Sequence, residues 1–402
     1  MYDVIVIGAR CAGAALALLL ARGGLKVLVI DRTRFPSDTM SGHYIHPAGV
    51  SCLRRLGLLQ RLEALGAPAQ ETVTVDFGPV ALSGRPAPAA DGTTTGFAPR
   101  RYLFDPMLAG AAAEAGAELW EGVTALGPLT EAGRVTGLRV ATAQGRTLDL
   151  RARLVVGADG KRSRFAAAVG AAAYDRHPST VCTYYAYWDG LKVRDTRLFV
   201  RENRFLIAAP TNDGLTFLGI DWPLQAFRRV RADIDGAYRA AVAEVPWLAD
   251  RFTGARRVGR YIGTADLDGF FRTASGPGWA LLGDAGYHKD PITAQGMTDA
   301  LLHAELLAAA ILEGLAGRRP LAAALTDFGR RRDALAAPMY ALTNDLARLA
   351  PPSPEMADLV VALQGNKAET SRFLGVISGT VPVADYFAPD NLNRIMGNEL
   401  AV

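Results

Sequence analysis

Three stretches of this 402-residue sequence hold residues whose types and spacing could do chemistry. The first is Gly8-Ala9-Arg10-Cys11-Ala12-Gly13, with Asp31-Arg32 following about twenty residues later. Glycines at this spacing let backbone N–H groups at a helix start approach a pyrophosphate, and the later carboxylate can accept hydrogen bonds from the ribose hydroxyls of an adenosine. One position departs from the G-x-G-x-x-G pattern. Arg10 stands where the second glycine belongs, so either the turn widens or the guanidinium itself meets a phosphate. The second stretch is Gly157-Ala158-Asp159-Gly160-Lys161-Arg162-Ser163, in which Asp159 and Ser163 also suit a helix cap. The third is Gly283-Asp284, followed by Tyr287, His288, Lys289, Asp290 and Pro291 and by Gly296-Met297 at the start of a long helical pattern. Arg101 opens a further helix. A cation beside the positive end of a helix is unfavourable unless it faces an anion, which points it toward a phosphate.

These residues need elements to position them. Tyr2 to Ile7 is a mostly β-branched run suited to a buried parallel strand, Ala14 to Arg22 is an Ala/Leu-rich helix stopped by Gly23-Gly24, and Lys26 to Ile30 is a second buried strand. Together they make a βαβ unit. Ala48 to Leu65 has helical spacing. Thr72 to Phe97 reads as short antiparallel strands, Ala117 to Trp120 as a strand, and Val135–Val140 with Thr147–Leu150 as a hairpin. Arg153–Val156 and Trp279–Leu282 are buried strands leading into the second and third stretches. Between about Ala172 and Arg272 strand-like segments recur at Thr180–Asp189, Arg197–Val200, Arg204–Ala209 and Thr216–Ile220, with a helix at Ile234–Glu244. Ala/Leu-rich helices reach about Leu349, and the tail is mixed helix and coil. The predicted organisation is an α/β protein with interleaved segments: 1–71, 99–171 and 273–335 for a nucleotide-binding domain, 72–98 and 172–272 for an antiparallel-sheet substrate domain, and 336–402 for C-terminal helices.

Composition narrows the field. Half of the residues are hydrophobic, so a large core is available, and the net charge of +4 comes from nearly balanced acids and bases. With no basic run or aromatic-interleaved patch, nucleic-acid binding is not expected. Cys11, Cys52 and Cys182 are odd in number and far apart, which predicts reduced thiols and a cytoplasmic setting. A strand starting at residue 2 leaves no room for a signal peptide, and the apolar run near Leu301–Leu315 is interrupted by His303, Glu305 and Glu313, so no membrane span is expected. His43, His46, His177, His288 and His303 show no ligand spacing, and no metal site is predicted. Nor is a Ser/His/Asp or Cys/His nucleophile set legible.

The three stretches, in this order, resemble the class A FAD-dependent monooxygenases, an aromatic-hydroxylase-like family with a glutathione-reductase-type FAD fold. The resemblance covers about Tyr2 to Arg332. It implies that Gly8, Arg10, Ala12, Gly13, Asp31, Arg32 and Arg101 contact FAD, that Asp159 lies where FAD and NADH or NADPH both approach, and that Gly283 and Asp284 hold the ribityl chain. Pro291 would border the isoalloxazine, the helix at Gly296-Met297 would aim N–H groups at its N1/O2 side, and Tyr287, His288 and Lys289 would lie near the ring. The family usually has glycine and asparagine at Ala294 and Thr298 and an aspartate at His303.

The function implied is a monooxygenase that uses NAD(P)H and O2, through a C4a-hydroperoxyflavin, to hydroxylate or epoxidise a small organic substrate. Tyr184, Tyr185, Tyr187, Trp188 and Trp222 suggest an aromatic or polycyclic one, although most of these are expected in the core. The alternative is a flavin reductase or dehydrogenase resembling the geranylgeranyl-reductase branch. Halogenases of this fold carry a lysine in the first flavin segment and a Gly-Trp-x-Trp-x-Ile-Pro motif. Here no lysine lies between Lys26 and Lys161, and Gly278-Trp279 leads into Ala280-Leu281-Leu282, so halogenation is disfavoured. A non-enzymatic prenyl-GTPase-escort reading is disfavoured because Asp31, Asp159 and Asp284 are all present. Oligomeric state is not legible.

Overall fold

The computed structural model describes residues 1–397. Its opening strand, Tyr2–Ile7, lies parallel between Val27–Asp31 and the second half of Thr147–Gly157. Val4 to Ile7 are all buried because helices cover the sheet. The intervening helix, Cys11–Arg22, buries Ala14 through Leu18 and packs against the helices Arg101–Glu114 and Gly296–Leu315. Trp279–Leu281 adds on the far side of Thr147–Gly157, and the register sets Ile7, Gly157 and Leu281 side by side. The three chemical stretches therefore leave the sheet at one rim, the carboxyl ends of parallel strands, where open α/β sheets bind ligands.

Thr147–Gly157 is one strand where the sequence predicts two. Its first half alternates exposed and half-buried and pairs antiparallel with Arg134–Ala141; from Leu154 it is continuously buried and parallel to the opening strand. The alternation ends where the ribbon enters the covered sheet. The ribbon also includes Thr124–Glu131, which the sequence reading did not anticipate.

The second sheet has seven strands, in the order Arg256–Thr264, Val181–Asp189, Thr216–Pro223, Arg204–Pro210, Thr196–Arg201, Val73–Asp76, Ala81–Gly84. It is not antiparallel throughout. Thr196–Arg201 and Val73–Asp76 pair parallel, because the latter joins from a distant part of the chain rather than through a hairpin. The strands expected out to Phe97 stop at Gly84. Beyond it come Pro86, Pro88 and Gly92, which cannot sustain a ladder, and only isolated bridges at Gly96 and Phe97. One face of the sheet buries Trp188 and Trp222 against Tyr238 and Leu248 of two short helices. Facing the nucleotide-binding rim is the other. A 26-residue helix, Leu321–Leu346, and four shorter helices in the tail, Pro354–Leu363, Lys367–Ile377, Val383–Tyr386 and Pro389–Met396, close the remaining edge. Their core includes Val73, Leu198, Phe205, Leu359, Phe373 and Tyr386.

Candidate active site

A cavity of about 1020 Å³ lies between the rim and the second sheet. Among the residues singled out from the sequence, Gly8, Arg10, Ala12, Asp31, Arg32, Arg101, Asp159, Gly283, Asp284, Tyr287, His288, Lys289, Pro291, Gly296 and Met297 all line it. Gly13 does not. It sits beneath the cradle, and a Cβ there would fall 1.8 Å from the Gly8 carbonyl oxygen. Gly8, at φ +105°, closes in the same way, since its Cβ would lie 2.4 Å from the Ala158 carbonyl oxygen. A Cβ on Gly283 would come within 2.9 Å of the Ala12 methyl. Glycine is what lets the three stretches meet.

Two helices start at the wall of this cavity, Cys11–Arg22 and Gly296–Leu315, and neither N-cap residue supplies a side-chain acceptor. Their first N–H groups are left for an external acceptor, which suits a pyrophosphate at one and an electron-rich ring edge at the other. Asp31 is 7 % exposed; its two oxygens accept from Ala9 N–H at 2.9 Å and Thr33 N–H at 2.8 Å, and each keeps capacity for a ribose hydroxyl. Arg101 gives its Nε to Asp105 at 2.9 Å, and its terminal nitrogens are left toward the cavity. These features fit FAD.

Arg10 lines the cavity and also has protein partners of its own. Its backbone, at φ −84°, is extended and accommodates a side chain without strain. The guanidinium turns sideways to Asp105 at 2.6 Å and to the Ser37 hydroxyl at 3.0 Å, over the Phe35 ring. Asp105, fully buried, thus links Arg10 to Arg101. Of its two partners, Arg101 is one helical turn away and Arg10 is 95 positions away.

Asp159 takes the Ser163 hydroxyl at 2.6 Å, and Ser163 in turn caps the helix Arg164–Ala168, so Asp159 shapes its turn as well as lining the cavity. Lys161 is occupied by Asp266, at 2.6 Å. In the third stretch, Lys289 is buried in an ion pair with Asp299 and stands 3.3 Å from the Tyr287 hydroxyl. Burial pushes the Tyr287 phenol up, and it stays neutral. His288 donates through Nδ1–H to the Asp268 carbonyl, 2.8 Å away, which makes Nδ1 the protonated nitrogen. Burial lowers the pKa of His288, with the nearby Asp284 opposing. Ala294 adopts φ +53°, the glycine conformation at the position where the family pattern has glycine. Thr298 accepts from the His46 N–H at 3.1 Å and points away from the cavity into the helix Pro47–Arg55, so it cannot do an asparagine's work at the ring. His303 is buried against the Tyr287 ring, and burial lowers it to about 4.

Strand alternation sorts the aromatic residues. Tyr184, Trp188 and Trp222 are core, while Tyr185 and Tyr187 cluster with Phe217 on the cavity face. His43, at φ +58°, hydrogen-bonds Tyr187, whose ring carries the Arg100 guanidinium at 3.8 Å. Asp221 shares this face with Phe217 and Gly219. It was missed, although a carboxylate inside an apolar strand was a signal. Among the described residues no cluster suited to a metal ion occurs, and no helix is long and apolar enough to cross a membrane. The three cysteines are buried and free.

Residues 1–235, more than half of the chain, match the model of a family described as an FAD binding domain. The chain belongs to this family, which includes class A flavin monooxygenases, halogenases and geranylgeranyl reductases, and it is an FAD-dependent oxidoreductase. Over 329 residues it is 27 % identical to 6-methylpretetramide 4-monooxygenase of Streptomyces rimosus, covering 79 % of this chain and 76 % of that protein. It is 26 % identical over 326 residues to a 1H-pyrrole-2-carbonyl-(peptidyl-carrier protein) brominase of Pseudoalteromonas luteoviolacea, covering 79 % and 78 %. Digeranylgeranylglycerophospholipid reductase of Methanocella arvoryzae is 26 % identical over 312 residues, covering 75 % and 74 %. Among solved structures, a flavoprotein/dehydrogenase from Cytophaga hutchinsonii superposes with TM-score 0.82 at 18 % identity, covering 98 % of each chain, and supports the fold.

Proposed function

We propose that this protein is an NADH- or NADPH-dependent monooxygenase that uses O2 to hydroxylate or epoxidise a small aromatic or polycyclic compound. The observation that carries the reading is one continuous cavity, with the FAD-fitting rim on one wall and Tyr185, Phe205 and Phe217 on the other. FAD, when bound, supplies the electron transfer and oxygen activation. The chain's own residues bind and orient. Gly8, Ala12 and Gly13 shape the pyrophosphate turn, Asp31 and Arg32 take the adenosine end with Arg101 beside the phosphates, and Gly283 and Asp284 take the ribityl chain. Pro291, Gly296 and Met297 border the ring, with Tyr287, His288 and Lys289 beside it, and Asp159 stands where the reductant approaches. In this division residues 1–71, 99–171 and 273–335 serve the cofactor, 72–98 and 172–272 the substrate, and 336–402 cover both.

A reductase is the second reading. It is favoured by a small apolar pocket of about 150 Å³ beside Ile292 and Ala294, walled by Leu198, Val200, Leu342, Met356 and Phe387, which suits an alkyl chain. Rapid reduction by NADPH without O2, followed by admission of isotopically labelled O2 with aromatic candidates, separates the two. Labelled oxygen in product supports the oxygenase; a hydrogenated product without it supports the reductase.

A further inference from the structure

Two buried carboxyls outside the cofactor cradle line the cavity, close enough that the charge of one acts on the other. Asp221 projects from the strand Thr216–Pro223, flanked by Thr183 and Phe205 on the neighbouring strands. Asp290 lies in the loop between His288 and Pro291, with one oxygen accepting from the Ile292 N–H at 2.9 Å. They are 7 % and 5 % exposed, and both line the cavity. Buried carboxylates ordinarily have a cation. Here the nearby cations are already engaged, Lys161 with Asp266 and Lys289 with Asp299. His288 is held neutral by burial, and Cys182, on the strand beside Asp221, is likewise neutral. Two carboxyls with no counter-ion of their own can be accommodated by sharing a proton.

We propose that Asp221 and Asp290 form a proton-sharing pair that binds the hydroxyl group of a phenol or enol substrate and takes its proton. The substrate O–H bond breaks, its electron pair stays on the substrate oxygen, and the proton moves to the ionised carboxylate of the pair; no redox partner is needed. Burial pushes Asp221 up to about 7; burial and then the charge of Asp221 push Asp290 up to about 8. One proton is thus retained at neutral pH. The pair also sets specificity, because an anionic substrate group would meet like charge in a dry site while a neutral hydroxyl finds an acceptor.

The inference deepens the reading that an organic substrate occupies this cavity, and its test needs no turnover. Oxidised, FAD-loaded protein is titrated with phenol and with its methyl ether, anisole, following the flavin absorbance. Wild type should bind phenol about tenfold more tightly, and Asp221→Asn and Asp290→Asn should each remove the preference. Infrared titration of the same protein between about pH 5 and about pH 10 should show a protonated-carboxyl band in wild type that fades near neutral to mildly alkaline pH. Asp221→Asn should shift the remaining Asp290 transition to lower pH, because the charge that raises it is gone, and Asp290→Asn should leave only the single transition of Asp221. Equal binding of phenol and anisole, no binding of either, a preference that survives in both variants, or absence of the band would overturn the proposal. The wild-type infrared titration stands even if a variant folds poorly. Failure of the oxygenase reading appears elsewhere, as unlabelled product in the O2 experiment with the phenol preference intact.

Discussion

Gly13→Ala tests the geometry on which the cofactor site rests. A carbon added at Gly13 needs about 3.4 Å from the Gly8 carbonyl oxygen for ordinary contact and has 1.8 Å, so the helix Cys11–Arg22 must retreat by about 1.6 Å. The obstruction is backbone, and Val6 Cγ1 at 3.1 Å blocks a sideways escape. The helix carries Ala14, Ala15, Leu16, Leu18 and Leu20 into the largest core cluster, packed against two other helices. Overpacking of this kind costs about 1–3 kcal/mol, and more where backbone must move. The same retreat draws the helix N-terminus away from the pyrophosphate, and losing one or two hydrogen bonds to a charged group, about 1.5–3 kcal/mol each, costs on the order of a hundredfold in affinity. The expected outcome is a lower melting temperature together with FAD affinity reduced by about a hundredfold, measured by fluorescence quenching and by thermal shift with and without FAD. A variant with wild-type melting temperature and wild-type FAD affinity would refute the close-packed cradle.

Asp31→Ala should weaken FAD and also lower stability by about 1–3 kcal/mol, because the Ala9 and Thr33 N–H groups lose their acceptor; unchanged denaturant midpoint and FAD affinity would contradict this. Asp105→Asn should cost about 3–5 kcal/mol by leaving Arg10 and Arg101 without their buried anion, read as a shift in urea midpoint; a silent substitution would show the pairs to be dispensable. Ala294→Gly should stabilise by up to about 1 kcal/mol, since it relieves a left-handed alanine; a drop in melting temperature would count against strain there. Asp221 and Asp290 are raised above their unfolded value of 3.8, so their contribution to stability is fully present below that pH and is lost as pH rises toward about 7 and about 8. Asp290→Asn should flatten this fall, and equally steep melting-temperature profiles for wild type and variant would reject it.

The sequence by itself determined the βαβ opening, the three stretches at the rim and the family. Each is a local signal: a β-branched run, a glycine turn, an aspartate at a strand end, and spacing along one segment reports them without knowledge of the rest. Partnerships across the chain were decided only by tertiary structure. Arg10 looked like a damaged glycine motif, and became an ion-paired residue once Asp105, 95 positions away, came within reach. Thr298 stands where the family pattern has asparagine, and only the rotation of its helix shows that it turns to His46. The run Tyr184 to Trp188 announced aromatics but not which would face a substrate. That depends on the register with Thr216–Pro223, where a slip of one residue exchanges the two faces of the strand. Asp221 and Asp290 are 69 positions apart in sequence and share a cavity only because the sheet folds over the loop. Both are raised by burial, and Asp290 further by the charge of Asp221; burial and proximity are properties of the assembled fold.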